Sequence, residues 1–140
     1  VEHAWWWALG LAVIAGATGI TGRYLTAHLA AGGAWDVIAV SRRPPDVDGR
    51  FTHVAADLSD ASAARAALAA VSGATHLFYC AFVQDPDPVA HRQRNTAMLV
   101  NAVEALEAAS PGLRHVHLVE GTKWYGSHLG PFTTPAKERH

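Results

Sequence analysis

Charge is scarce in this sequence. Asp, Glu, Lys and Arg make up 16% of its residues, against roughly a quarter in ordinary soluble domains. The formal net charge is −1 and no basic block stands out. Neither nucleic acid nor a membrane surface is therefore favoured as a partner. Cysteine is almost absent. The single one, Cys80, excludes an internal disulfide. Set in an apolar run, it reads as a small buried hydrophobe and fits a reducing cytoplasm. A membrane-spanning run is missing as well. Residues 4–20 carry no charge and include Trp5-Trp6-Trp7, but they fall short of about 20 apolar residues and glycines interrupt them. Val1-Glu2-His3 ahead of them supplies no Lys or Arg, which argues against a secretory signal. The nine histidines are scattered. No pair has convincing metal-ligand spacing, so no metal site is expected. Internal repeats are lacking, and the one biased segment is an alanine-rich stretch near residues 61–70.

What is present suits one compact unit. A chain of 140 residues with 50% hydrophobic content can bury a core as a single domain. The feature around which it is arranged is Gly16-Ala17-Thr18-Gly19-Ile20-Thr21-Gly22, directly after the apolar run 11–15. Strand, glycine turn and helix in that order predict a dinucleotide site. The first glycine permits a tight turn, the second a close backbone approach to a pyrophosphate, and the third close packing of helix on strand. Thr18 and Ile20 belong to the same turn.

Further strands are expected at 36–40, 51–56, 75–80 and 113–119. Helices are expected at 19–31, from 59 or 60 onward, and at 89–109. On the first helix Thr21, Leu25, His28 and Leu29 share a face. The second puts Ala64, Ala67, Leu68 and Val71 on one side, and the third turns Leu99, Ala102, Val103 and Leu106 to the sheet. This alternation predicts the α/β class: a Rossmann-type doubly wound parallel sheet of about five strands, helices on both faces. Residues 1–9 read as an N-terminal extension, 10–126 as the dinucleotide-binding domain, and 127–140 as a tail with no sixth strand.

Ligands of such sheets bind beyond the carboxyl ends of the strands. An acidic residue about 20 positions past the glycines would accept from the ribose of NAD. Here that position holds Ser41, followed by Arg42 and Arg43. Guanidinium groups pair with a 2′-phosphate through charge-assisted bonds, so NADP(H) is the expected cofactor. Solvated surface arginines are the competing reading. Asp57 either accepts from the adenine amino group, with the Leu58 backbone continuing the contact, or caps the second helix. Ala81 and Phe82 follow the fourth strand, where a small residue leaves room beside a ribose. Lys123 follows the fifth. It can supply positive charge beside a developing oxyanion, or it is an exposed loop lysine.

Together, Gly16 to Gly22, Val40-Ser41-Arg42-Arg43, Asp57-Leu58-Ser59-Asp60, His76-Leu77-Phe78-Tyr79, Gly121-Thr122-Lys123-Trp124-Tyr125 and Gly130-Pro131-Phe132 resemble the extended short-chain dehydrogenase/reductases. Within them they look most like the progesterone 5β-reductase and iridoid-synthase-like enone reductases. The similarity runs from about Leu11 onward. It implies NADPH-dependent reduction of the activated carbon–carbon double bond of a small enone or enal, with Lys123 as the catalytic lysine. The Tyr-x-x-x-Lys pair common in short-chain dehydrogenases is absent, since no tyrosine has a lysine four residues later. The tyrosine motif and substrate-binding helices of the resembled enzymes are not contained in these 140 residues. The chain reads as a cofactor half expected to be inactive alone. Trp124 and Glu120 depart from the family pattern, which often has histidine and threonine there. A non-catalytic NADP(H)-binding module, a truncated product that folds poorly, and a ketone reductase or epimerase are the alternatives.

Overall fold

The computed structural model describes residues 9–126, 128–131 and 133–137. The expected extension, with Trp5-Trp6-Trp7, lies outside the described residues apart from Leu9, as does Phe132 of the Gly-Pro-Phe motif. Eight principal elements follow in order: β1 (Gly10–Ala15), α1 (Ile20–Gly32), β2 (Trp35–Ser41), β3 (Thr52–Ala55), α2 (Ala61–Leu68), β4 (Ala74–Tyr79), α3 (Pro88–Ala109) and β5 (His115–Leu118). A short 3-10 turn, Thr122–Tyr125, comes last, where the sequence suggests only a loop.

The strands form one parallel sheet in the order β3-β2-β1-β4-β5. This is the expected Rossmann-type arrangement, with β1 in the middle. β1 is an apolar run because it is covered on both faces. Val13 and Ala15 face one core with Leu77, Leu68, Ala102 and Leu106. Ile14 faces the other with Val37, Ala39 and Ala17. Burying a side chain such as Ile14 or Leu106 completely contributes about 1.5–3 kcal/mol. α2 and α3 lie over the first face, and α1 over the second. The β2–β3 connection, residues 42–51, contains no helix, so α1 is the only described helix on its side.

α1 differs from its expected face. Gly22 and Thr26 are its buried residues, with Leu25 and Leu29 packed partly in, while Thr21 and His28 are exposed. The reason is local. The Thr26 hydroxyl satisfies itself by donating to Gly22 O at 2.7 Å, so a buried polar residue displaces the wider-spaced pattern. Gly33, in the left-handed region at φ 68, ends the helix. α2 keeps its expected side with Ala64 and Leu68 buried and Ala67 packed partly in, but it ends at Leu68, so Val71 is buried from the connection after the helix rather than from the helix itself. On α3, Met98 and Ala105 join Ala102 and Leu106 in the core, with Leu99 and Val103 only partly buried.

Candidate functional site

β1 pairs with β2 on one side and β4 on the other, so Ala15 lies opposite both Val40 and Tyr79. Past Ala15 the chains diverge. Gly16 N and Ala17 N donate to Val40 O at 2.9 and 3.2 Å, and Cys80 N donates to Ala15 O at 2.9 Å. Beyond these last bonds a cleft of about 560 Å³ opens, at the point where strand order reverses. Its wall includes Gly16, Thr18, Gly19 and Ile20 from the turn, Ser41 and Arg42 after β2, Asp57 and Leu58 after β3, and Ala81 after β4. Most of the expected positions therefore meet at one cleft.

The three glycines answer to different demands. Gly16 has φ +81, and a Cβ there would lie 2.5 Å from Ala81 N. Gly22 is buried, and a Cβ would overlap Gly16 O. The protein's own packing imposes both. Gly19 has φ −71 and ψ 168, open to any residue. Its Cβ would meet nothing nearer than Gly16 O at 3.5 Å. No side chain caps this end of α1 and no acidic residue stands in its first turn. Its N–H groups and positive dipole end are left unshielded beside the cleft. That arrangement fits the pyrophosphate of a dinucleotide.

After β2, Ser41 is only 8% exposed. Its hydroxyl donates to Arg43 O at 2.6 Å. His53 Nε2, on β3, lies 3.1 Å from Ser41 O and 3.3 Å from Ser41 Oγ. Arg42 and Arg43 are both exposed, and only Arg42 lines the cleft.

Asp57 does not cap α2. Asp60 does, accepting from Ala63 N at 2.9 Å. Asp57 Oδ1 instead accepts from Ser59 Oγ at 2.6 Å and Ser59 N at 3.0 Å. These two bonds, with the charge of Arg42, hold its carboxyl below the usual carboxylate range. Its Oδ2 has no hydrogen bond among the described residues.

α3 supplies parts of the site that the sequence pattern does not suggest. Asn95 accepts from Val83 N at 3.0 Å and donates to Val83 O and His91 O, each at 2.9 Å. Asn101 donates to Leu58 O at 2.8 Å. One helix thereby braces both the β4 and β3 exits. Arg94 and Met98 line the cleft, and Arg94 is held by Asp85 at 2.9 Å. A signal was available: asparagine disfavours helix interiors, so two of them inside one helix mark side chains with other work. Cys80 is half-buried and lines the cleft, rather than being simply part of the core. Burial pushes its thiol upward, which keeps it neutral.

Lys123 sits in the 3-10 turn, exposed and away from the cleft wall. Gly22 lies behind the turn, and Arg43 is also absent from the wall. Among the described residues no group of His, Cys, Asp and Glu could hold a metal ion. No described helix is long and apolar enough to cross a membrane.

A family model described as the NAD dependent epimerase/dehydratase family matches residues 12–140. The chain is 33% identical to a 3-oxo-Delta(4,5)-steroid 5-beta-reductase of Arabidopsis thaliana, over 98% of this chain and 41% of that one. It is 30% identical to an (S)-8-oxocitronellyl enol synthase of Camptotheca acuminata, over 92% of this chain and 39% of that one. The chain thus spans about two-fifths of the length of these relatives. Among solved structures it resembles a short-chain dehydrogenase/reductase superfamily protein of Agrobacterium tumefaciens with bound NAD. There the TM-score is 0.70 at 25% identity, covering 93% of this chain and 38% of the other.

Proposed function

Since the chain belongs to the NAD dependent epimerase/dehydratase family, we propose that it is the cofactor-binding part of an NADPH-dependent oxidoreductase acting on a small enone or enal. It is related to a steroid 5-beta-reductase and an oxocitronellyl enol synthase, and those relatives support the substrate class. The observation that carries the reading is the single cleft shared by the glycine turn, Arg42 and Asp57. Bound NADPH would supply a hydride to the β-carbon of the substrate, the displaced electron pair moving to the carbonyl oxygen as an enolate.

The chain's own residues then have distinct tasks. Gly16, Thr18, Gly19 and Ile20 hold the pyrophosphate at the start of α1, with Gly22 letting the helix approach β1. Arg42 and Arg43 take the 2′-phosphate, next to Ser41. Asp57 accepts from the adenine amino group through its open oxygen, and the Leu58 backbone continues the contact. Ala81 leaves space at the second ribose. Lys123 lends positive charge to the enolate oxygen. Residues 10–126 are taken as the dinucleotide-binding domain and 127–140 as a tail. A cytoplasmic setting goes with the lone Cys80.

The decisive experiment is titration of NADPH and NADH against the protein and its Arg42→Ala variant. Loss of a hydrogen bond to a charged group predicts a cost of about 1.5–3 kcal/mol for NADPH and little for NADH. Equal losses for the two cofactors would overturn the NADP reading. The second reading, cofactor binding without turnover, is favoured by the exposed position of Lys123 outside the cleft wall. It predicts that the 140-residue chain binds NADPH but does not consume it with a simple enal, and steady consumption would exclude it.

A further inference from the structure

His53 lies on the edge strand β3, with Ala39 as its partner in the sheet. Its Nε2 makes two close approaches, to Ser41 O at 3.1 Å and Ser41 Oγ at 3.3 Å. The chemistry of Ser41 decides what that nitrogen carries. A carbonyl oxygen has no hydrogen to give. The one hydroxyl hydrogen of Ser41 is already directed to Arg43 O at 2.6 Å. Both approaches therefore meet acceptors, and Nε2 must be the donor. Neighbours thus fix the tautomer, with the ring hydrogen on Nε2.

The result is a short chain of bonds running from the sheet edge to the arginines. His53 holds Ser41, and Ser41 holds the carbonyl of Arg43. Ser41 O also accepts from Ala56 N at 3.2 Å, so the strand end stays anchored when His53 is removed. What His53 adds is the orientation of the hydroxyl and of the two residues after it. Arg42 and Arg43 are exposed, and among the described residues neither side chain has a hydrogen bond, although the charge of Arg42 acts on Asp57. Charged groups on the elements that pair with or pack on β3 are Asp36 on β2 and Arg65 on α2, with Arg42, Arg43, Asp46, Asp48 and Arg50 in the β2–β3 connection. The hydrogen bonds described for the His53 ring are the two to Ser41.

We infer that His53 is a positioning residue for cofactor selectivity, clamping Ser41 so that Arg42 and Arg43 leave β2 in the direction a 2′-phosphate requires. The inference rests on the reading of those arginines as the 2′-phosphate site. It extends the site by a residue that does not line the cleft and would not touch the cofactor.

The test uses His53→Leu, which removes the donor, and His53→Gln, whose amide can replace it. Dissociation constants for NADP+ and NAD+ are measured by titration, and amide hydrogen exchange at Arg42 and Arg43 is followed without ligand. His53→Leu should weaken NADP+ binding about 3- to 10-fold, the range for one hydrogen bond, while NAD+ binding stays within about twofold. His53→Gln should restore most of the loss. Exchange at the two arginines should quicken in the leucine variant alone. Added to Arg42→Ala, His53→Leu should bring little further loss of NADP+ affinity. Unchanged exchange, equal weakening of both cofactors, or failure of glutamine to rescue would overturn the inference. Should the leucine variant not fold, Ser41→Ala cuts the same chain of bonds and must show the same selective loss. If Arg42→Ala leaves NADP+ binding intact, the 2′-phosphate reading has failed, and the exchange rates still report whether the clamp exists.

Discussion

Gly16 and Gly19 are three residues apart, yet the forces that keep them glycine are unrelated. Gly16 is held by backbone geometry and by Ala81 pressed against it. Gly19 meets no such constraint within the protein. Gly16→Ala should therefore cost more than about 2 kcal/mol of stability, through a strained positive φ together with a backbone clash. Gly19→Ala should cost less than about 1 kcal/mol while weakening NADPH binding. Paired denaturation and titration curves separate the two, and similar losses of stability would remove the distinction. That Gly16, Gly19, Ser41, Arg42, Asp57 and Ala81 gather at one cleft was legible, because a motif at a strand end has fixed neighbours. His53, Asn95 and Asn101 were not, because they act through hydrogen bonds to residues 12 or more apart in sequence. Lys123 was legible as a residue type, but its spatial relation to the cleft was not.

Elements show a second division. Strands and helices could be located from apolar runs and from glycine and proline punctuation, and their ends differ from expectation by a residue or two. β5 is the largest difference, four residues where seven were expected, because only one neighbour supplies ladder partners. What the pattern does not reveal is how elements are tied. Ser110, just after α3, is 1% exposed. Its hydroxyl donates to Val71 O and accepts from Ala74 N at 3.0 Å, fastening the α2–β4 connection to the end of α3. Ser110→Ala would leave a buried N–H and a buried carbonyl unmatched. The expected cost is about 1–3 kcal/mol, read by chemical denaturation. A change below about 0.5 kcal/mol would mean that water or rearrangement satisfies both groups.

At the scale of the molecule the two sheet faces are unequal. α2 and α3 cover one. On the other, no described helix reaches past α1 towards β5. Trp35, His76, Phe78, His115 and His117 form a row of rings there, with centroid separations of 4.8–6.4 Å between neighbours. Burial, then Arg114 and His115, hold the pKa of His76 below 6.5. The unfolded chain takes up this proton at higher pH than the folded one. Stability is therefore present at neutral pH and is lost as pH falls below about 6.5 towards the folded value. Melting temperatures measured from pH 7 to pH 5 should fall, and less steeply in His76→Gln. An identical slope in the variant would show that other groups control this range. The parallel order itself was readable from the alternation of elements, whereas the half of one face over β4 and β5 that no described helix covers was not, because alternation does not say which elements lie across that side of the sheet.

The central position of β1 has a kinetic consequence. Its pairing with β2 joins residues about 25 apart, but its pairing with β4 joins residues about 64 apart, and such distant closure is slow. Gly16 fits only against Ala81, the second residue after β4. The binding turn thus cannot take its final shape until β4, the more remote of the two neighbours of β1, has docked on it. In a refolding experiment, cofactor capture would mark the docking of β4 and lag behind the local hydrogen bonds of α1.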